Sequence, residues 1–371
     1  MDPREHPKPN GTVSLTHMSV SSKMLAGLFG ALFLMVGSAS AVRAAPINVP
    51  WSPDAAPDIE TVFESGGLTY FGSLRPAVGE QRGAALLLPG SGPTDRNGNQ
   101  AGGITPNTLA YVADTLAARG VTTFRFDKIG SGRTGLNGVD LAAPPGFDVQ
   151  VDAAAAALDV LSDRSGVSGD RLAVLGHSEG GLTALSLAGR GADFGALGLL
   201  APLSVRYLDL LNAQLNVALD GAVAAGQLPD SDADAQRGRL TETVDALRAG
   251  EPVPYPDDQF LASVGLNAAN ARFLAEADAV DPATAAASVP ATTKVLLTCS
   301  AKDLNVSCAQ TDRVYASRAG TDIEYARLAT SSHALGELGT LPASGYDIYV
   351  PLPLSSEFRS VLSGWADRAF A

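Results

Sequence analysis

The sequence predicts an α/β fold: a mostly parallel central sheet, helices on both of its faces, and a helical insertion late in the chain. From Ala84 to Leu200, short apolar runs of strand length alternate with longer segments at helical spacing, a pattern in which each crossover helix returns the chain to a parallel strand. One run, Leu172 to Leu175, leads straight into Gly176-His177-Ser178-Glu179-Gly180 and then an Ala/Leu-rich helical segment. The alternation stops between Pro202 and about Pro290 and resumes at Lys294, which marks the insertion.

In chain order, the first 44 residues read as a leader. Lys23 precedes an apolar run from Met24 to Gly37, shorter than the roughly 20 residues a membrane span needs but suited to the hydrophobic region of a signal peptide. Small residues follow at once, giving cleavage patterns after Ala44 and after Ala41. Residues 45–371 then form one large domain, in which 203–290 are expected as a helical cap. A chain of 371 residues, 46% hydrophobic and 18% charged, can bury a core of that size.

Thr61 to Glu64 and Leu68 to Leu74 flank Ser65-Gly66-Gly67 and predict an edge hairpin. Ala84 to Leu88 is apolar enough for a central strand, and it runs into the Gly-rich stretch Pro89 to Gly98. Asn107 to Arg119 has helical spacing closed by Gly120, and Val121 to Phe126 is the next strand. Asp127 and Lys128 then open a second loop and read first as loop-fixing residues. Val149 to Leu161 is an Ala-rich helix. Gly195 to Leu200 is the strand after the Ser178 turn.

In the insertion, Tyr207 to Ala225 and Gln236 to Arg248 look helical, separated by the acidic stretch Pro229 to Asp234, and Gln259 to Ala277 is expected to hold another helix or two. Lys294 to Cys299 and Ile323 to Leu328 restore the sheet, and Ser355 to Phe370 closes the chain as a helix.

The chemistry starts at Ser178. Strand, G-x-S-x-G and helix in that order form a nucleophile elbow, a turn so tight that side chains at 176 and 180 would strike neighbouring backbone while the serine is pushed outward. A serine needs a base. Of the four histidines, His6 and His17 lie in the leader and His177 sits inside the elbow, directed away from the neighbouring hydroxyl. His333, in a loop after the strand Ile323 to Leu328, is the one that remains.

Enzymes with this elbow carry their acid between serine and histidine. Asp303, four residues beyond the strand Lys294 to Cys299, occupies that position. Asp312 and Asp322 are rivals, the first within a predicted helix and the second just before a strand, at the wrong edge of the sheet. The Pro89 to Gly98 loop lies where a second oxyanion donor belongs, so the backbone amides of Ser91 and Glu179 are the candidate donors. A phosphate-binding reading of that loop lacks the Lys-Ser/Thr pair and the helix entry such loops use.

In these motifs the chain resembles the α/β-hydrolases over its whole mature length. It is most similar to bacterial serine esterases whose oxyanion loop reads Pro/His-Gly-Ser-Gly-Pro-x-Asp-Arg-x-Gly. Pro89 through Gly98, Asp127-Lys128-x-Gly-x-Gly and Gly176 through Gly181 carry the resemblance, in order. It departs from the pattern in the Ser331-Ser332 pair before His333, where relatives often carry Asn. The resemblance implies a serine carboxylesterase acting on short acyl esters with Ser178, Asp303 and His333 as its triad.

No cofactor or metal is expected for acyl transfer on such a triad, and no His-rich ligand cluster is available. The expected partner is a small-molecule ester. A formal charge of −13 without a basic cluster argues against nucleic acid and anionic membranes, and no membrane insertion is expected once the leader is removed. A peptidase or acyltransferase would use the same residues. A non-catalytic binding protein on this fold would be expected to lack one of the three, and a dehalogenase would need a carboxylate in place of Ser178. Two cysteines, Cys299 and Cys308, bracket the Asp303 loop, and in an exported protein, periplasmic or extracellular, an even count favours a disulfide between them.

Overall fold

The computed structural model describes residues 57–345 and 347–371. The expected leader, 1–44, and its two cleavage positions lie outside the described residues. Eight strands form one sheet in the order β1-β2-β4-β3-β5-β6-β7-β8. β1 (Ile59–Ser65) and β2 (Leu68–Arg75) pair antiparallel around Gly66 and Gly67, whose φ values of 56° and 78° suit a hairpin turn that a side chain would strain. β2 also runs antiparallel to β4 (Val121–Phe126), and every other pairing is parallel: β3 (Gly83–Leu88), β5 (Leu172–His177), β6 (Ala196–Leu200), β7 (Lys294–Ser300) and β8 (Ile323–Leu328).

The central strands are buried along their whole length, as a sheet covered on both faces requires. Alternate residues feed two cores. Leu86 and Leu88 join the core beneath α2 (Phe147–Ser165) and α3 (Glu179–Gly189), while Ala85 and Leu87 join the core beneath α1 (Thr108–Ala117) and the last helix, Ser356–Ala369. Between β6 and β7 come α4 (Tyr207–Ala224), α5 (Asp230–Ala249), α6 (Gln259–Ser263), α7 (Ala271–Asp278) and α8 (Pro282–Ser288). Leu208, Leu211, Leu215, Leu240 and Leu274 from these helices belong to the first core, so the insertion is packed continuously with one face of the sheet. α9 (Cys308–Ser317) and α10 (Ser356–Ala369) complete the chain.

One sequence expectation in the insertion is corrected. The acidic Pro229 to Asp234 stretch is no separator: it is the first turn of α5, where Asp230 and Asp232 face the positive end of the helix dipole. The Gln259 to Ala277 segment holds two helices, α6 and α7, in line with the expectation of one or two, and α8 follows, with Asp281 accepting from the Thr284 amide and Pro282 at its start.

Candidate active site

Ser178 stands between β5 and α3 with φ 55° and ψ −121°, a conformation outside the favoured regions for a residue with a side chain. The surrounding backbone holds it there: the Ser178 amide donates to the Leu200 carbonyl at 3.0 Å, and the Leu203 amide donates to the Ser178 carbonyl at 3.0 Å. A Cβ on Gly176 would overlap the Gly180 carbonyl, and one on Gly180 the Leu88 carbonyl, so both elbow glycines are required by close backbone approach.

His333 and Asp303 converge on this serine from the ends of β8 and β7. Ser178 Oγ lies 3.1 Å from His333 Nε2, and His333 Nδ1 lies 2.8 Å from Asp303 Oδ2. A carboxylate only accepts, so Nδ1 carries the proton and Nε2 is left to accept from the serine hydroxyl. Asp303 is held in turn by its own loop, Oδ1 accepting from the amides of Asn305 at 2.7 Å and Val306 at 2.9 Å. Burial opposes charging of the His333 ring. The Asp303 charge, its hydrogen bond and the charge of Asp347 outweigh that, and raise the His333 pKa above its ordinary 6.5.

The rival acids sit elsewhere. Asp312, on α9, accepts from Tyr325 Oη at 2.9 Å and pairs with Arg327. Asp322 precedes β8, its carbonyl accepting from the Val295 amide. Cys299 at the end of β7 and Cys308 at the start of α9 form a disulfide that closes the Asp303 loop. Ser307 caps α9 in a capping box with Gln310, so both ends of the loop are anchored.

His177 has a task that the sequence did not disclose. Its Nε2 donates to the His333 carbonyl at 2.8 Å, tying the histidine loop to the elbow. Burial and the neighbouring His333 push its pKa down to about 4, so it stays neutral and keeps that donor. Only the side-by-side position of His177 and Ser178 hinted at this, because a contact across 156 residues leaves no local pattern.

Ser91 reaches the same cavity as Ser178 and His333, a space of about 20 Å³. Gly90 packs against Ser178, where an added Cβ would lie 3.3 Å from Ser178 Cβ. The Glu179 amide opens α3, and first-turn amides have no partner within their own helix. The rest of the lining comes largely from the insertion: Leu203, Tyr207, Leu210, Leu211 and Gln214, with Asn305 and Val306 from the acid loop.

The Glu179 side chain turns inward. It is fully buried, Oε1 accepting from Lys128 Nζ at 2.7 Å and Gln150 Nε2 at 3.0 Å, and Oε2 from Tyr207 Oη at 2.8 Å. Asp127 fixes the Pro89 to Gly98 loop from the next strand, pairing through both carboxylate oxygens with buried Arg96 at 2.9 and 2.7 Å. Asp95 holds the tip of that loop by accepting from the amides of Asn97 and Asn99.

The model of the Hydrolase_4 family, described as serine aminopeptidase, S33, matches residues 105–337. No curated protein matches the chain. Among solved structures, the esterase Pf2001 of Pyrococcus furiosus is similar at 13% identity, covering 84% of this chain and 92% of its own with a TM-score of 0.49. A highly thermostable carboxyl esterase from Bacillus coagulans is similar at 15% identity, 73% and 90% coverage and a TM-score of 0.47. Est1E from Butyrivibrio proteoclasticus is similar at 14% identity, 78% and 96% coverage and a TM-score of 0.46. Matched by that family model through the elbow, the insertion and His333, the chain belongs to the Hydrolase_4 family, serine aminopeptidase, S33, and has the α/β-hydrolase fold.

Proposed function

We propose that the protein is an exported serine carboxylesterase that cleaves short acyl esters through an acyl-enzyme. The observation that carries this reading is the unbroken hydrogen-bonded line from Asp303 through His333 to Ser178 Oγ, ending in a cavity that Ser91 also lines. In the first step Ser178 attacks the ester carbonyl as His333 Nε2 takes its proton, and Asp303 stabilises the imidazolium that forms. The amides of Ser91 and Glu179 receive the negative charge on the tetrahedral oxygen, a contribution worth about 3 to 4 kcal/mol per donor in comparable sites. His333 then protonates the departing alcohol. Water, deprotonated by the same ring, releases the acid and restores Ser178.

The insertion, 203–290, acts as the cap in this reading. Its Leu203, Leu210 and Leu211 line the cavity, which favours a small apolar acyl group. The ester reading is favoured over an aminopeptidase one by the same lining. An α-ammonium group needs a carboxylate partner; among the described residues none that lines the cavity is acidic, and the two carboxylates behind it, Asp303 and Glu179, are committed to His333 and to Lys128, Gln150 and Tyr207. Export is supported by the disulfide and by the signal-like leader sequence.

A fluorophosphonate probe followed by a nitrophenyl ester series and aminoacyl amides tests the proposal. Ser178 should be labelled, and acetate or butyrate esters should turn over fastest. Efficient turnover of the amides with weak ester activity would overturn it in favour of a peptidase.

A further inference from the structure

We propose that Lys128 is a positioning residue for the oxyanion hole, locking the Gly90–Ser91 peptide so that the Ser91 amide faces the reacting carbonyl. The proposal rests on the esterase reading above and adds the device that sets one of its two donors.

Lys128 is buried, and its ammonium makes two contacts: Glu179 Oε1 at 2.7 Å and the Gly90 carbonyl at 3.1 Å. A trans peptide is planar, and its C=O and N–H point in opposite directions. Gly90 O and Ser91 N belong to one such plane, so a donor that pins the carbonyl on one side fixes the amide on the other. That fixation is needed because the loop is rich in glycine, with Gly90 and Gly92 on either side of Ser91. A peptide plane turns about ψ of the residue before it and φ of the residue after it, and Gly90, which has no Cβ, leaves the first of these rotations little opposed.

The anchor of Lys128 is what makes the arrangement specific. Glu179 carries the second proposed donor on its own amide, and its fully buried carboxylate collects Lys128, Gln150 and Tyr207. Tyr207, which donates to the same carboxylate, lines the cavity together with Ser91. One buried ion pair therefore fixes both donors relative to each other. A buried ion pair is a poor source of stability, because desolvation offsets most of its attraction, so its occurrence directly behind the elbow calls for a role in geometry. Asp127, the preceding residue, already holds the oxyanion loop through Arg96, and the loop as a whole does not need Lys128 to stay in place.

The experiment compares wild type, Lys128→Met, Lys128→Arg, the double variant Lys128→Met/Glu179→Gln, and Tyr207→Phe. The readouts are kcat and KM on a nitrophenyl ester, inhibition by an acyl trifluoromethyl ketone, whose hemiketal oxygen occupies the oxyanion position, and the melting temperature. In Lys128→Met, kcat should fall about 10²-fold with KM within about threefold, and ketone affinity should fall in parallel. Lys128→Arg, which keeps the charge and a donor, should recover about a tenth or more of the lost turnover. Should Lys128→Met fail to fold with Glu179 left unpaired, the double variant, neutral at both positions, is expected to give the same split. Tyr207→Phe, which leaves the ion pair in place, should lose about tenfold in kcat with the same pattern. A folded Lys128→Met or double variant with kcat and ketone affinity within threefold of wild type would overturn the proposal. Wild type that neither hydrolyses esters nor labels at Ser178 would instead defeat the esterase reading on which it rests.

Discussion

At the scale of single residues, the proposed chemistry depends on two distances, 3.1 Å from Ser178 to His333 and 2.8 Å from His333 to Asp303. Ser178→Ala and His333→Ala should each reduce ester turnover by roughly 10⁴-fold or more while leaving the melting temperature nearly unchanged, measured by steady-state kinetics and calorimetry. Asp312→Asn, which alters a group bonded to Tyr325, should keep turnover within about twofold. The pH profile follows from the raised His333 pKa. The base must be neutral, so kcat/KM should fall on the acid side with a midpoint above 6.5. Asp303→Asn removes the charge and hydrogen bond that raise it and leaves burial, which lowers it. Its midpoint should therefore move to lower pH, with kcat down by roughly 10³-fold, and a midpoint unmoved in that variant would show that another group controls the profile. The same shift contributes stability that is complete below 6.5, the unfolded value, and is lost as pH rises through the folded one. The sequence pointed to these three residues by elimination and order. It did not disclose His177, Gln150 or Tyr207, because their bonds join segments 28 to 156 residues apart and leave no spacing pattern.

At the scale of elements, the Asp303 loop is closed by the Cys299–Cys308 disulfide and stapled to α9 by the Ser307–Gln310 box. By the chain-entropy model, a ring of about ten residues contributes roughly 2.5 to 3 kcal/mol. Reduction should lower the melting temperature by roughly 4 °C and depress kcat more than it raises KM, since the loop carries the carboxylate that orients His333. Thiol titration of the unfolded protein before reduction should find no free thiol. The insertion offers a second handle. Leu210 on α4 lines the cavity, and Leu210→Ala should shift the ester preference toward longer chains, raising the hexanoate-to-acetate ratio of kcat/KM about tenfold. A chain-length series with an unchanged optimum would show that α4 does not bound the acyl site. Helix boundaries were only partly legible here. The Asp-rich start of α5 has the composition of a loop, and only its position at a helix N-terminus makes those charges favourable.

At the scale of the whole molecule, the proposed export rests on the signal-like reading of residues 1–44 and on the disulfide. Mass spectrometry of the protein recovered outside the cytoplasm should find its first residue at Ala45, or at Val42 by the alternative cut. An intact leader on a cytoplasmic protein would remove the oxidising setting that the disulfide needs. What the sequence by itself determined is the α/β class, the identity of the elbow and the order of the strands that carry its partners. Those follow from local signals: apolar runs of strand length, helical spacing, and glycines at 176 and 180 where backbone leaves no room for a side chain. What only the tertiary structure decided is which buried polar groups meet. The sheet order brings the ends of β5, β7 and β8 to one edge, so that Ser178, Asp303 and His333 come within hydrogen-bonding distance, and it seats Tyr207 of the insertion and Lys128 of the β4 loop on Glu179. Sequence periodicity records which face of an element is apolar, whereas a buried lysine or glutamate is stable only beside its partner, and that partner is chosen by the packing of the whole chain.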